Sequence, residues 1–456
     1  MENSIIGQKF TTFGLLKFTL PAFFMNFFTQ LFKSLDDALF VSRYAGRIAL
    51  AALNILVPLD CIRLAFTHLC SLGASTLSAK RMGEKNSEEA KQIFTKAVIS
   101  AIIIGSSIAI LINVFSKPVL FALGADQTLY ELALYQIRLV YGITPIVILN
   151  SVFSLYFSTA GKPKMGMICS IVNGVINIGL DIILITYMKM GIFGAAIATA
   201  AGDIVVFIIG LIFFLNKNNE IHFVKPKGEL IAPIIKSFRL GLPQCINSFS
   251  FSVTAFITNA QLIRLASADG VAANAIVGDI RSIMMSGLIG IAASLGPIIA
   301  YDYGERNVEK LRSNLYSILR IWLFGSLFLM TVGFLLRVPL VQLFMAEDST
   351  IEFYEMSLFG ISIEVFSIIF AAGNIITSRM FIALSNTKLA TLLSLCRNLI
   401  FRALSLLTLP YLFNVTGVWL AIPFAEFLAF CFASFCIYHN RNNYGYGKSK
   451  EAYLLN

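Results

Sequence analysis

"RMGEKNSEEAK" (81–91) returns in altered form as "DYGERNVEKLR" (302–312), two hundred and twenty-one residues later. Gly83, Glu84, Asn86 and Glu88 recur as Gly304, Glu305, Asn307 and Glu309, while Lys85 and Lys91 become Arg306 and Arg312. Both stretches are short and charged, and each follows a long apolar run. Working outward, "LKFTLP" (16–21) matches "FRLGLP" (238–243), and "ALAA" (49–52) matches "GVAA" (270–273). "KPVLFALGAD" (117–126) resembles "VPLVQLFMAE" (338–347), and "TAGKPK" (159–164) aligns with "ALSNTK" (383–388). "GIFGAAIATAAGD" (191–203) aligns with "NVTGVWLAIPFAE" (414–426), which sets Asp203 against Glu426. The chain is therefore a full-length duplication, and its fold is two copies of one plan.

Composition says where that plan is built. Of 456 residues, 57% are apolar and 13% charged, the latter about half the usual share. Apolar runs long enough to cross the ~30 Å hydrocarbon core as helices recur throughout. Twelve spans are expected, at about 13–40, 48–79, 92–116, 130–157, 165–188, 192–215, 234–263, 270–301, 311–336, 353–381, 387–412 and 416–438. They are numbered 1 to 12 below. The longest polar connection, about 216–232, leaves no room for a soluble domain. No small-residue cleavage site follows the first apolar run, so it reads as a span and not a secretory signal. All seven cysteines fall inside spans, form no CxxC pair and read as small buried hydrophobes.

The net charge of +10 follows membrane topology and not nucleic acid. With both termini cytoplasmic, inside segments hold seventeen Lys and Arg and outside segments six, a positive-inside bias. Six spans per half is an even number, so both halves insert in the same orientation, related by an axis along the membrane normal. Such repeats hold substrate between the halves and rock in alternating access. The expected organisation is an N-terminal lobe (1–215), a cytoplasmic linker (216–233), a C-terminal lobe (234–438) and a cytoplasmic tail (439–456). The twin loops 81–91 and 302–312 then lie on one side, away from substrate and ion. Gly83 and Gly304 suit helix C-terminal stops, and Asn86 and Asn307 suit caps of the helices that follow.

These features resemble the multidrug and toxic compound extrusion (MATE) antiporters over nearly all of residues 10–440. The motifs are "LP" opening spans 1 and 7, "DALFVS" (37–42), "MGEKNSEEAK" (82–91), "TAGKPK" and "NIGLD" (177–181). Ser42 stands where the family's first motif has Gly. The resemblance implies an all-α integral membrane protein of two six-helix bundles around a central cleft. It implies export of amphipathic, cationic compounds in exchange for sodium ions or protons. The protein is then no enzyme, needs no cofactor beyond the coupling ion, binds small molecules and membrane lipid, and acts as a monomer in the cell membrane.

Ionisable groups at mid-membrane are costly and so point to function. Span 1 has Asp36 and Asp37, span 5 has Asn177 and Asp181 at i and i+4 on one face, and span 6 has Asp203. Asp37, Asn177, Asp181 and Asp203 are the ion-coupling candidates for H+ or Na+, because an oxygen-rich set suits either. Asp36 is a secondary candidate, as are Glu364 in span 10 and Glu426 in span 12. The second half lacks most of the set: Asp37 aligns near Thr258 or Asn259, and Asp181 near Ser405. Structural alternatives are a Lys33–Asp37 pair, and Asn177 as interhelical glue. Asp60 with Arg63, and Asp279 with Arg281, read as paired charges in corresponding spans. His68 reads as a packing residue, and Met284–Met285 as one candidate for a pocket wall.

Rival functions find less support. There is no HExxH, and one histidine in the spans cannot give bis-His haem ligation. "GYGKS" (445–449) resembles the end of a phosphate-binding loop, but the required first Gly is Asn442. A lipid-linked precursor flippase of the same superfamily is the alternative, kept open by Arg138, Arg320, Arg397 and Arg402.

Overall fold

The structure is a computed structural model that describes residues 8–35, 52–53, 55–123, 125, 127–229, 231–344, 351–441 and 444. Among these there are helices and connecting segments and no strand. Eight helices are long and apolar enough to cross a bilayer, nine when Gln127–Tyr141 and Thr144–Thr159, bent by 48°, count as one broken span. That bend is span 4, and it falls at Gly142 just ahead of Pro145, where a proline ring blocks helix continuation.

The other spans are helical too, and local chemistry hides them from an apolarity count. Span 2 (Val57–Gly83) carries Asp60, Arg63, Lys80 and Arg81. Span 7 is the polar first part of the helix Ile231–Glu305, and Ala273–Glu305 is span 8. Spans 11 and 12 both lie in Thr387–His439, where Phe413 and Asn414 leave helical geometry. The remainder are Thr12–Leu35 (span 1), Ser87–Val114 (3), Pro163–Asp181 continuing as a π-helical turn to Tyr187 (5), Gly191–Leu215 (6), Val308–Leu335 (9) and Ile351–Ala383 (10). Phe256, Phe324, Phe328 and Leu412 are largely exposed, as lipid-facing side chains are. This is the expected all-α, twelve-span membrane architecture in two repeated bundles.

The duplication persists in backbone and side-chain geometry. Lys85 and Arg306 take left-handed φ values of 61° and 59°, and Gly161 and Ser385 take 70° and 62°. Asn86 Oδ1 accepts from the Glu89 amide and Asn307 Oδ1 from the Lys310 amide, both at 3.1 Å. These are the expected caps. An ion pair is kept with its charges exchanged: Arg81–Glu89 (3.0 Å) in the first half, Asp302–Lys310 (3.2 Å) in the second.

The twin glycines correct one expectation. They are not the helix stops, because Lys85 and Arg306 take the left-handed turn. Gly83 and Gly304 remain helical and bring spans 2 and 8 into backbone contact. A Cβ on Gly83 would overlap the Tyr301 carbonyl, and one on Gly304 the Lys80 carbonyl. Small residues let membrane helices approach this closely. Gly73 lies equally close to the Ser237 carbonyl of span 7, and Gly290 to the Ala22 carbonyl of span 1. Lys80 reaches across to the Tyr303 ring (4.8 Å) and Ser385 Oγ (3.4 Å). The two halves are thus sealed against each other at the end carrying loops 81–91 and 302–312.

The connection after span 6 is tied down and not free. Lys96 Nζ donates to the Lys227 and Glu229 carbonyls at 2.9 and 2.8 Å, and Gln92 exchanges hydrogen bonds with Lys225 and Lys227. All seven cysteines are free; Cys70, Cys169 and Cys436 are buried as expected, whereas Cys431 is exposed.

Candidate functional site

Each half encloses a polar cavity. The first, of 670 Å³, lies among spans 1, 2, 4, 5 and 6. Phe32, Phe153 and Phe157 give it an aromatic wall, and Asp60, Asn173, Asn177 and Asp203 line its polar side. Asn150 Nδ2 clamps Asp203, donating to its backbone carbonyl at 3.0 Å and to Oδ1 at 3.4 Å. Asn173 Nδ2 donates to the same Oδ1 at 3.2 Å. Asn177 donates to Thr199 Oγ1 at 3.3 Å. Asp181 is wholly buried one turn further along span 5.

Two of the sequence candidates, Asn177 and Asp203, therefore share one cavity, and Asp181 sits beside it on the same helix. Asp36 and Asp37, with the rest of "DALFVS", lie outside the described residues, as does "GYGKS". Lys33 lines the cavity. Asp60 pairs with Arg63 at 2.7 Å, as the spacing suggested. His68 also lines this cavity.

The second cavity, of 370 Å³, lies among spans 1, 7, 8, 10, 11 and 12. Here the clamp repeats. Asn374 Nδ2 donates to the Glu426 backbone carbonyl at 3.0 Å and to Oε2 at 2.9 Å. Asn374 stands one repeat on from Asn150, as Glu426 does from Asp203. The third member differs: the position of Asn173 is taken by Arg397. Its Nε and Nη2 donate to the two Glu426 oxygens at 2.7 and 2.9 Å, and Arg402 Nη2 stands 3.6 Å away. Glu364 lies 3.8 Å from Arg281 Nε. The same clamp thus holds an acid among neutral amides in one half and an acid bound to guanidinium in the other. A fork-shaped guanidinium matching both oxygens of a carboxylate is among the stronger polar pairings available.

Span 1 is shared between the cavities, since Asn26 and Thr29 face both. Thr29 Oγ1 also lies 2.9 Å from Ser170 Oγ of span 5. Of the two methionines singled out by sequence, Met285 lines the second cavity, while Met284 packs where a Cβ on Gly333 would go. Of the four arginines that kept the flippase reading open, Arg397 and Arg402 meet in this cavity, while Arg138 and Arg320 are exposed. Sequence reading missed Arg379, which lines it too. The available signal was a lone arginine within the apolar run of span 10.

Comparisons with known proteins agree with this architecture. The family model described as MatE matches twice, over residues 21–183 and 243–407, once per repeat. The multidrug export protein MepA of Staphylococcus haemolyticus is 23% identical over 432 residues, covering 94% of each chain. A MATE crystal structure in complex with MaL6 superposes with a TM-score of 0.89 at 22% identity, covering 96% of this chain and 99% of that one. An outward-facing multidrug resistance MATE family transporter gives a TM-score of 0.89 at 21% identity, covering 96% and 98%. These likenesses and the twin cavities describe a multi-pass membrane transport protein and not an enzyme. The chain belongs to the MatE family.

Proposed function

We propose that this protein is a secondary active antiporter that exports amphipathic compounds, cationic ones among them, in exchange for protons or sodium ions. The observation that carries this reading is the asymmetry of the repeated clamp. Asp203 is held by Asn150 and Asn173, neither of which brings a charge. Glu426, in the matching place, is already bound to Arg397. Arg63 lines the same cavity but is paired with Asp60 at 2.7 Å, so among the described residues no cation is bound directly to Asp203. A carboxylate in a low-dielectric lobe without a directly bound cation takes up a mobile one, either a proton or a metal ion.

The ion set we assign is Asp37, Asn177, Asp181 and Asp203. Loading it would favour one packing of spans 1, 5 and 6, and emptying it another. Span 1 faces both cavities and would carry the difference to the substrate. A cationic amphiphile fits the first cavity, between the phenyl walls and Asp60 and Asp203. Glu364 and Glu426 are kept in our reading as structural partners of arginine. The twin loops and both termini are assigned to the cytoplasm on the charge bias, with 216–233 as the inter-lobe linker. The single chain is taken as the working unit.

The test is efflux by purified protein in liposomes without ATP. Transport of a cationic dye such as ethidium should require an imposed proton or sodium gradient and collapse when it is dissipated. A strict requirement for ATP would overturn the proposal.

A further inference from the structure

We propose that the cavity of the second half is a binding subsite for an oxyanion, a carboxylate or phosphate carried by an amphiphilic molecule. The inference rests on the export reading and adds a ligand class to it. Four arginines line this one space: Arg281, Arg379, Arg397 and Arg402. The carboxylates that meet them are Glu426 and Glu364. Four guanidinium groups thus stand beside these two carboxylates inside the membrane, where charge is strongly unfavourable unless it is paired. Asp279, two residues before Arg281, is exposed.

The donors are also left unspent. Arg379 is only 8% exposed and lines the cavity. Among the described residues it makes no hydrogen bond or ion pair. Arg402 Nε is buried without a hydrogen-bond partner among the described residues. Arg281 Nε lies 3.8 Å from Glu364. Buried guanidinium groups normally have their donors satisfied. Arg379 and Arg402, buried and facing one cavity with donors to spare, and Arg281 beside them form a site that an oxyanion completes, because planar guanidinium matches carboxylate and phosphate oxygens in pairs. Gln244, Asn247 and Asn398 on the same wall supply further amide groups.

The repeat shows that this polarity belongs to one half. One repeat earlier, Arg281 corresponds to Asp60, Arg397 to Asn173 and Arg402 to Ile178. Acidic, neutral and apolar residues thus stand where the second half has cations. The scaffold is common, and at these positions the guanidinium groups belong to the second half; the first cavity has Lys33 and Arg63 from other positions beside Asp60 and Asp203. The volume of 370 Å³ admits the head of an amphiphile and falls within the range of small-molecule pockets.

The experiment uses detergent-purified full-length protein and three probes: fluorescein as a carboxylate dye, a short-chain phosphatidic acid as competitor, and rhodamine 6G as a cationic control. Fluorescein should bind, and Arg379→Gln should weaken it about tenfold, the loss of one charge-assisted contact. Arg379→Lys should restore part of the affinity, and rhodamine 6G binding should be unchanged. Should Arg379→Gln fail to fold, Arg281→Gln serves the same comparison. Phosphatidic acid that binds with the same Arg379 dependence, while fluorescein does not, would also support the oxyanion site and assign its ligand to a lipid headgroup. Absence of any arginine-dependent anion binding overturns the proposal. Ethidium export by the wild-type protein, measured in parallel, tests the export reading separately.

Discussion

Gly83→Ala should unseal the end of the molecule that carries the twin loops. In the structure, a methyl group there would overlap the Tyr301 carbonyl and approach Glu305 N to 3.0 Å. Both obstacles are backbone of span 8, so neither can swing aside as a side chain would. Spans 2 and 8 must separate instead, and overpacking of this kind costs about 1–3 kcal/mol. That penalty falls only on the conformer in which the two helices touch. Its population relative to the conformer open at this end should drop by roughly 5- to 150-fold. A cysteine at Ser237, 5% exposed and packed against Gly73 across the same seam, reports the change. In a background lacking the seven native cysteines, its maleimide labelling should accelerate by a comparable factor. Gly296→Ala is the control. It lies in span 8, the helix that Gly83 packs against, gains a similar helix propensity of about 1 kcal/mol, and its methyl meets nothing within 4 Å. Equal labelling rates for Gly83→Ala and Gly296→Ala would refute the idea that the glycine seam holds this end shut.

Arg397→Gln should destabilise the fold by about 3–5 kcal/mol, since it strips a buried carboxylate of its fork-shaped partner. Thermal unfolding in detergent should show the loss, with most of it recovered in the Arg397→Gln/Glu426→Gln double variant; a single variant as stable as wild type would mean Glu426 is not held by this pair. Cysteines at Glu88 and Glu309, in the twin loops, should react with an impermeant maleimide from the same side of oriented vesicles, and labelling from opposite sides would contradict the parallel repeat. Asn374→Ala should lower stability more than Asn150→Ala does, because the bond Asn374 makes to its acid is shorter, 2.9 against 3.4 Å; the reverse order of melting temperatures would count against equating the two clamps.

Much of this architecture could be read from the chain because duplication marks itself. The offset between the charged loops located both halves, and the Asp203–Glu426 alignment fell on residues that share a clamp in the structure. Spans 2 and 7 were placed from their apolar runs although their charged and polar residues keep them out of a strict apolarity count. What stayed hidden depends on contacts between distant segments. Gly83 and Gly304 fit a local rule for helix ends, yet packing against span 8 and span 2 decides their role. Arg281 was paired with Asp279 by nearness in sequence, and only folding also sets Glu364 of span 10 at 3.8 Å from it. Arg379 drew no notice because only folding sets it beside Arg397 and Arg402. The arginine-rich character of the second cavity is thus a property of tertiary structure laid over an almost symmetric pattern.

The central claim is that ion coupling resides in the first half, and gradient-driven ethidium transport normalised to folded protein tests it most directly. Asp37→Asn, Asp181→Asn and Asp203→Asn should each lose dependence on the imposed proton or sodium gradient while the protein remains folded. Combining Asp37→Asn with Asp181→Asn should add little, as expected for groups acting as a unit. Near-normal, still gradient-driven transport in all three single variants would contradict the account and move the ion site to the second half, with Glu364 and Glu426 the next to be examined.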